Sequence, residues 1–254
     1  MDALEEKIRK TMVGTIAAYD LLEEGDRVLV AVSGGKDSTI LLLQLEQIRR
    51  RAPFSFEIEP VLLDQKQPGF DARRYSDWLA ERGFALRILE QDTYSVVVSR
   101  TAPGKSYCGL CSRMRRGALY AHAAEEGFTK IALGHHREDA VETLLLNLFF
   151  GGQIRSLAPK YVTDDGAHTV IRPMILTPEY KIDRYVREAG FPVRDTCPFH
   201  DESTSRRASM RALVNDLRKD NPRVMKSIMR ALSNVDPKHL WDTRLMDIET
   251  DDDH

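Results

Sequence analysis

The first 90 residues alternate between short apolar runs and segments with polar and apolar positions at helical spacing. Mainly apolar runs at 28–32, 58–63 and 85–89 are typical of buried strands. The intervening segments 39–45 and 70–82 have apolar residues three and four positions apart, which predicts helices. This order of elements predicts an α/β fold, a doubly wound parallel sheet with helices on both faces.

The same patterns extend this prediction in both directions along the chain. Residues 3–24 form an amphipathic pattern that predicts an N-terminal helix packed on the main body, whereas residues 92–107 show no regular pattern. The elements predicted beyond residue 107 are a helix at 109–126, a strand at 130–134, a helix at 138–150, a fifth strand or extended run at 170–174 and a helix at 178–189.

The pattern changes after Pro192, where helices rich in Arg and Lys are predicted at 203–219 and 222–234. We therefore expect an α/β nucleotide-binding domain at 1–192 and a helical C-terminal extension at 193–254. Five acidic residues crowd the last eight positions, so we expect the tail to be solvated and disordered.

A glycine turn between the first strand and the following helix has the composition of a phosphate-binding loop. Its glycines let backbone N–H groups approach an anion, and the helix N-terminus adds a favourable dipole. The loop consists of Ser33, Gly34, Gly35, Lys36, Asp37 and Ser38. It is not a Walker A loop, because Asp37 stands where that motif has its first hydroxyl residue. It instead resembles the PP-loop of ATP pyrophosphatases, and the alternative is an ordinary glycine-rich turn.

Two other strand ends carry groups that suit a nucleotide site. Ligands of doubly wound sheets lie at the carboxyl ends of the strands. Asp64 follows the second strand, and Gly134, His135, His136 and Asp139 follow the fourth. Asp64 is a candidate to contact Mg²⁺ or a ribose. Asp37 and Asp139 are candidates to face Mg²⁺. For Asp64 and Asp139 the alternative is helix N-capping. Adjacent side chains of a strand point to opposite sides, so at most one histidine faces the ligand directly.

The three cysteines form a second candidate site. Cys108 and Cys111 lie at a predicted helix start, and Cys197 is far along the chain. Such a set fits an iron–sulfur cluster with one iron lacking a protein ligand, or, with His200, a closed Cys₃His zinc site. A third possibility is a redox pair with a buried Cys197.

Basic residues flank both cysteine segments. Arg113, Arg115 and Arg116 follow the first, and Arg206, Arg207, Arg211, Arg218 and Lys219 follow the second. We expect them to contact RNA phosphates, with a solvated helix face as the alternative.

The overall composition bounds these possibilities. The 254 residues are 42% hydrophobic with a net charge of −2, so a nucleic-acid surface must be a local patch. The chain has no apolar run of about 18 residues and no signal-peptide pattern, from which we expect a cytoplasmic protein without a membrane span.

Several motifs together resemble the tRNA 2-thiocytidine synthetase family, and the resemblance runs from about residue 5 to residue 247. The matching segments are 33–38, 63–70, 108–113, 132–139, 147–152, 172–173 and 235–240. The resemblance implies ATP- and Mg²⁺-dependent activation of cytidine 32 in the tRNA anticodon loop, followed by replacement of its C2 oxygen by sulfur. It also implies a 4Fe-4S cluster held by Cys108, Cys111 and Cys197, which favours iron–sulfur over zinc. The family often has a further cysteine where this chain has His200.

The resulting hypothesis makes Asp37 and the three cysteines the catalytic set, with the loop, Asp64 and the 134–139 segment binding the nucleotide. The C2 oxygen attacks the α-phosphate of ATP, and sulfide then displaces AMP from a base flipped into the pocket. The expected partners are tRNA, a sulfur donor (a cysteine desulfurase or sulfide) and a second copy in a homodimer. The alternatives are another tRNA base or a small molecule as acceptor, or a non-enzymatic ATP- and metal-binding tRNA-binding or sensor protein.

Overall fold

The computed structural model describes residues 2–102, 107–191 and 206–246. Six strands form one sheet in the order β3-β2-β1-β4-β6-β5. All neighbouring pairs are parallel except β5 and β6. The strands are β1 (Arg27–Val32), β2 (Glu57–Asp64), β3 (Arg87–Glu90), β4 (Lys130–Ala132), β5 (Lys160–Val162) and β6 (Thr169–Ile171). The strand order reverses between β1 and β4, so the carboxyl ends of these two strands define the ligand-binding crevice of such a sheet.

Ten α-helices lie within the described segments. They are α1 (Asp2–Ala18), α2 (Lys36–Arg49), α3 (Ala72–Ala80), α4 (Thr93–Arg100), α5 (Cys108–Glu125), α6 (Arg137–Leu146), α7 (Glu179–Ala189), α8 (Arg206–Asp220), α9 (Val224–Ala231) and α10 (Thr243–Met246). A π-helical turn (Asn147–Gly151) continues α6, and a 3₁₀ turn (Pro237–His239) precedes α10. In the part of the chain that the structure describes, no helix is long and apolar enough to cross a membrane.

The predicted parallel α/β sheet is confirmed, and several local predictions are corrected or refined. The N-terminal helix ends at Ala18 rather than near residue 24, and Asp20 adopts a left-handed φ of 47° just beyond it. Residues 93–100 form α4 instead of an irregular segment. The strand or extended run predicted at 170–174 is a strand, and it covers only Thr169–Ile171. Its antiparallel edge partner β5 was not predicted.

Two apolar layers cover the two faces of the sheet. One contains Ile8 and Met12 of α1 together with buried residues of α2, α3 and α7. The other packs Leu119 and Ala123 of α5 against Leu29 and neighbouring strand residues. Each helix buries the stripe of apolar side chains that lie three and four positions apart along it. This burial is the main favourable contribution that holds the helices on the sheet.

A third apolar cluster joins the C-terminal helices to the main body. Val141 and Leu145 of α6 pack with Met210 and Val214 of α8 and Met225 of α9. The start of the predicted extension, at 193–205, and its acidic tail lie outside the described residues. The described helices of the extension therefore pack directly on the helix that follows β4.

Candidate nucleotide and cysteine site

The predicted phosphate loop connects β1 to α2 at the strand reversal. Gly34 has a φ of 75°, a conformation that favours glycine, and Gly35 is the N-cap of α2. The Ser33 N–H donates to Ser38 Oγ at 3.1 Å, and Ser38 Oγ in turn donates to the Gly35 carbonyl at 3.1 Å. The two serines thus fix the loop shape, while the N-terminus of α2 stays uncapped by any side chain and suits an anion.

Gly134 brings the end of β4 against the first turn of α2. A Cβ atom at this position would lie 3.0 Å from the Ser38 backbone Cα and N atoms. Only a glycine permits this approach, because the atoms it would meet are backbone. The contact places Gly134 beside the phosphate loop, and its predicted part in nucleotide binding stays a prediction.

Lys36 lies among three carboxylates. Its Nζ is 3.2 Å from Asp37 Oδ1, 3.1 Å from Glu179 Oε1 and 2.9 Å from Asp183 Oδ1. Burial alone would lower the pKa of Lys36, but these carboxylates outweigh it and raise the pKa. Burial raises the pKa of Asp37, against the effect of Lys36. Glu179 and Asp183 come from α7, and sequence reasoning did not identify them as site residues.

His136 is buried and points toward the same carboxylates. Its Nε2 lies 3.5 Å from Asp139 Oδ2, 3.6 Å from Glu179 Oε1 and 4.0 Å from Asp37 Oδ1. Burial would lower the pKa of His136, but Glu138 and the other carboxylates raise it above its ordinary value. The structure thus places His136, rather than His135, on the side of the phosphate loop.

His135 points to the other side of the strand end, toward Arg172. The Arg172 Nε–H donates to His135 Nδ1 at 3.2 Å, and the Arg172 guanidinium also donates to the Ala158 carbonyl at 2.6 Å. The prediction that the two histidines face opposite sides is confirmed by these contacts.

The two other candidate acids have local partners. Asp139 Oδ2 accepts from the His136 backbone N–H at 3.0 Å and completes a capping box at the start of α6. Asp64 accepts from the backbone N–H of Lys66 at 2.9 Å and pairs with its ammonium at 3.0 Å. The capping alternative therefore holds for Asp139, and Asp64 stabilises the turn after β2 rather than a helix; a metal or ribose contact stays a prediction for both.

The cysteine pair starts α5, as predicted. Cys108 is exposed and Cys111 is half-buried, one helical turn further on. The Cys111 thiol donates to Gln65 Oε1 at 3.3 Å, and the Thr93 hydroxyl donates to the same oxygen at 3.1 Å. Gln65 directly follows β2, so this contact holds the cysteine helix at the sheet edge that carries the phosphate loop. Cys197 and His200 lie outside the described residues.

The basic helix α8 turns its predicted RNA-contacting face toward the protein itself. Arg207 Nη1 and Arg211 Nε lie 3.2 Å and 2.7 Å from the two oxygens of Glu142, and Arg218 Nη2 lies 3.5 Å from Glu138 Oε1. These α6 carboxylates pair with the shared face of α8, whose arginine side chains are still 36–45% exposed, so the contact with RNA phosphates stays a prediction for them. A partner acid on another element cannot be recognised from the periodicity of α8.

Comparison with known proteins agrees with this geometry. A family model described as a PP-loop domain matches residues 4–217. In fold, the chain is similar to the U34-tRNA thiolase NcsA from Methanococcus maripaludis, solved with its [4Fe-4S] cluster, with a TM-score of 0.73 over 93% of this chain and 81% of that one at 19% identity. The chain is a PP-loop protein with a doubly wound sheet.

Relatives with higher sequence identity show which family of PP-loop proteins the chain belongs to. The chain is 46% identical to a tRNA-cytidine(32) 2-sulfurtransferase of Methylococcus capsulatus, over 96% of this chain and 84% of the relative. It is 42% identical to one of Coxiella burnetii, over 95% of this chain and 94% of the relative. The chain therefore belongs to the tRNA-cytidine(32) 2-sulfurtransferase family, which confirms the resemblance found in its motifs.

Proposed function

We propose that this protein uses ATP to replace the C2 oxygen of cytidine 32 in tRNA by sulfur. The observation that carries the proposal is the hydrogen bond from Cys111 to Gln65, which holds the cysteine pair at the edge of the sheet where β1 ends in the phosphate loop. The phosphate loop and the residue that holds the cysteine helix thus follow two adjacent parallel strands, β1 and β2, which supports a shared site. The names of the two relatives supply the substrate and the target atom.

In the first step the C2 oxygen of cytidine attacks the α-phosphorus of ATP, and pyrophosphate leaves. The backbone N–H groups of the phosphate loop, the N-terminus of α2 and the Lys36 ammonium stabilise the negative charge of the phosphates. Mg²⁺ takes phosphate oxygens, water and one or two carboxylates rather than an all-protein cage. Asp37 and Asp139 are the carboxylates proposed to face it, consistent with their position beside His136.

In the second step sulfur attacks C2 and AMP leaves with the original oxygen. The first-turn position of Cys108 and Cys111 suits thiolate ligands, because a helix N-terminus favours negative charge and residues three apart share a helix face. No group of three or more candidate metal ligands occurs among residues 2–102, 107–191 and 206–246. We propose Cys197 as the third ligand of a 4Fe-4S cluster, which when bound supplies sulfide at the iron that no cysteine holds.

The remaining assignments rest on the same proposal. The target base must leave its stack to reach the crevice, which a loop nucleotide does more easily than a paired one. A cysteine desulfurase or free sulfide is the proposed sulfur source. We also propose a homodimer that works in the cytoplasm.

The test is mass spectrometry of the nucleosides of tRNA incubated with the anaerobically reconstituted protein, ATP, Mg²⁺ and sulfide. We expect 2-thiocytidine that depends on ATP, with loss of product in Cys111→Ser and Cys197→Ser and retention of ATP binding in both. Gly117→Ala is the matched control, since it lies on the same helix with open space at its Cβ. Full activity of the cysteine variants would refute the ligand assignment.

Other outcomes of the same experiment identify the alternatives. A thiolated uridine, or a thiolated small molecule, would replace cytidine 32 as the acceptor. Absence of tRNA-dependent pyrophosphate release, with ATP binding intact, would indicate a non-enzymatic tRNA-binding protein. A colourless protein that contains zinc only would indicate the Cys₃His site.

A further inference from the structure

Arg172 is a buried arginine without a carboxylate among its described hydrogen-bond partners. Its side chain is 5% exposed, and its guanidinium donates to the neutral acceptors His135 Nδ1 and the Ala158 carbonyl and stacks at 5.0 Å on the Tyr161 ring. Burial lowers the pKa of Arg172, but an arginine retains its charge in a folded protein. A buried cation held in this way has a strong orienting effect on the acceptors it contacts.

The hydrogen bond to His135 determines where that imidazole carries its proton. An arginine Nε–H is a donor and cannot accept, so His135 Nδ1 must be the unprotonated nitrogen. The proton of the neutral ring is therefore on Nε2, at the opposite edge of the imidazole. His135 consequently presents an N–H donor on the side away from Arg172.

The charges that face His135 keep it neutral. Burial lowers its pKa to about 4; Asp139 of α6 opposes this effect, and Arg172, Arg115 of α5 and Arg207 of α8 reinforce it. A second proton would create an imidazolium beside three guanidinium groups. The Nε2–H donor therefore persists through the physiological range of pH.

His135 lies just beyond the carboxyl end of β4, at the edge of the sheet where the strand order reverses. It follows β4 next to Gly134, which touches the phosphate loop. Arg115, whose charge acts on His135, is four residues after Cys111 and so lies on the same face of α5. His135 thus follows the strand whose end contacts the phosphate loop, and its side chain feels the charge of an arginine on the cysteine helix.

We propose that Arg172 is a positioning residue that fixes His135 as the neutral Nε2–H tautomer, and that this N–H donates a hydrogen bond to the target pyrimidine. The assignment of the base rests on the proposed function; the tautomer does not. A neutral donor can bind an oxygen or ring nitrogen of the base without adding a positive charge that would compete for the ATP phosphates. The donor would also hold the extruded base in register with the α-phosphate.

The tautomer is measured by ¹⁵N NMR of histidine-labelled protein without ATP or tRNA, with the His135 signals assigned by their loss in His135→Gln. We expect an Nε2–H pattern that does not titrate above its pKa of about 4. In Arg172→Met we expect a pKa nearer the ordinary value and a mixed tautomer. A protonated Nδ1 in the wild type, or a spectrum unchanged by Arg172→Met, would overturn the proposal.

Two further variants separate positioning from packing. Tyr161→Phe keeps the ring under the guanidinium and should leave the His135 spectrum unchanged. Arg172→Lys retains a cation if Arg172→Met fails to fold, and should keep the pKa of His135 low while weakening the preference for Nε2–H. A His135 spectrum altered equally by Tyr161→Phe and Arg172→Met would assign the effect to packing and refute the proposal.

The role in the reaction is tested by thiolation kinetics. Removing the donor in His135→Ala should lower kcat by about 10²-fold with the KM for ATP little changed, whereas His135→Gln, which keeps an N–H, should recover part of the loss. An unchanged kcat in His135→Ala would exclude contact with the base. A wild type with the expected tautomer but no thiolation of cytidine would refute the proposed function and leave the tautomer assignment standing.

Discussion

At the level of single residues, the phosphate loop depends on a glycine that lies outside it. Gly134 touches the backbone of Ser38 so closely that a methyl group would force β4 and α2 apart. The loop geometry is therefore set from two strands, although its motif belongs to one.

Gly134→Ala should destabilise the protein by about 1–3 kcal/mol, because the added methyl group overpacks a backbone contact. It should also weaken ATP binding, since the first turn of α2 must shift. Denaturation with urea and calorimetric titration with ATP measure the two effects. Gly14→Ala in α1, where a Cβ meets nothing within 4 Å, is the control and should not lower stability. Equal ATP affinity in wild type and Gly134→Ala would contradict the role of the contact.

Glu138 makes stability depend on pH. Burial alone would raise its pKa, but His136, Arg137 and the backbone N–H of Glu179 outweigh burial and lower the pKa from 4.5 to about 2. The stabilisation from this depressed pKa is present above pH 4.5 and is lost as the pH falls toward about 2.

Glu138→Gln should therefore cost about 2–3 kcal/mol at neutral pH, with a difference from the wild type that disappears in acid. The free energy of unfolding at successive pH values gives this difference directly. Glu188→Gln, which removes a carboxylate paired on the surface of α7, should have little effect at any pH. A constant difference between wild type and Glu138→Gln across the acid range would show that Glu138 acts by packing alone.

At the level of elements, ion pairs as well as apolar contacts hold α8 against α6. Glu142 is 3% exposed in its side chain and accepts from Arg207 and Arg211, while Met210 and Val214 pack on α6. Removing the acid leaves two cations facing a buried surface.

Glu142→Gln should cost about 2 kcal/mol, less than for a fully buried pair because both arginines reach solvent. The loss should be local, so amide hydrogen exchange should accelerate in α8 and α9 and stay slow in β1 and β4. Asp216→Asn removes an exposed pair with Lys219 on the same helix and should change stability by less than ~0.5 kcal/mol. Uniform acceleration across the sheet would show that α8 unfolds only with the whole domain.

Some helices and strands could be predicted from the sequence, and others could not. The β-α-β order up to residue 90 and the start of α5 at Cys108 follow from local periodicity. The strand β5 has only three residues and pairs with β6 alone. Helix α4 contains three consecutive valines, which have a low helix propensity. Tertiary pairing therefore determines β5, whereas α4 had a local start signal in its N-cap Asp92, which accepts from the Ser95 N–H and was missed.

The residues of the candidate site also fall into two groups, those that sequence motifs indicate and those that only the fold brings in. The loop residues, Gly134 and the cysteine pair stand in motifs that the sequence displays. Glu179, Asp183 and Arg172 join the site only because α7 and β6 cross near the end of β4. Glu179 and Asp183 stand in no motif, and Arg172 belongs to a matching segment that gave it no role, so only the folded arrangement assigns the three residues.

At the level of the whole molecule, the N-terminal helix completes the core. Ile8 and Met12 are fully buried in the layer formed with α2 and α7. The domain therefore includes α1, and the sheet would expose an apolar face without it.

Met12→Ala should cost about 2–5 kcal/mol, as expected for a large core side chain that leaves a cavity. Val13→Ala, one position away and 47% exposed, should be nearly neutral. Thermal and urea unfolding of the two variants make the comparison. Similar stabilities would show that α1 is dispensable to the domain.

The hydrogen bond between Cys111 and Gln65 requires a protonated thiol, whereas the proposed metal ligand at Cys111 would be a thiolate. A thiolate has no proton to donate, so a metal bound to Cys111 breaks this hydrogen bond and leaves the Gln65 oxygen to the Thr93 hydroxyl. The amide belongs to the turn that also contains Asp64 and Lys66. Metal binding at Cys111 would therefore change the hydrogen bonds at the end of β2, the neighbour of the strand that carries the phosphate loop.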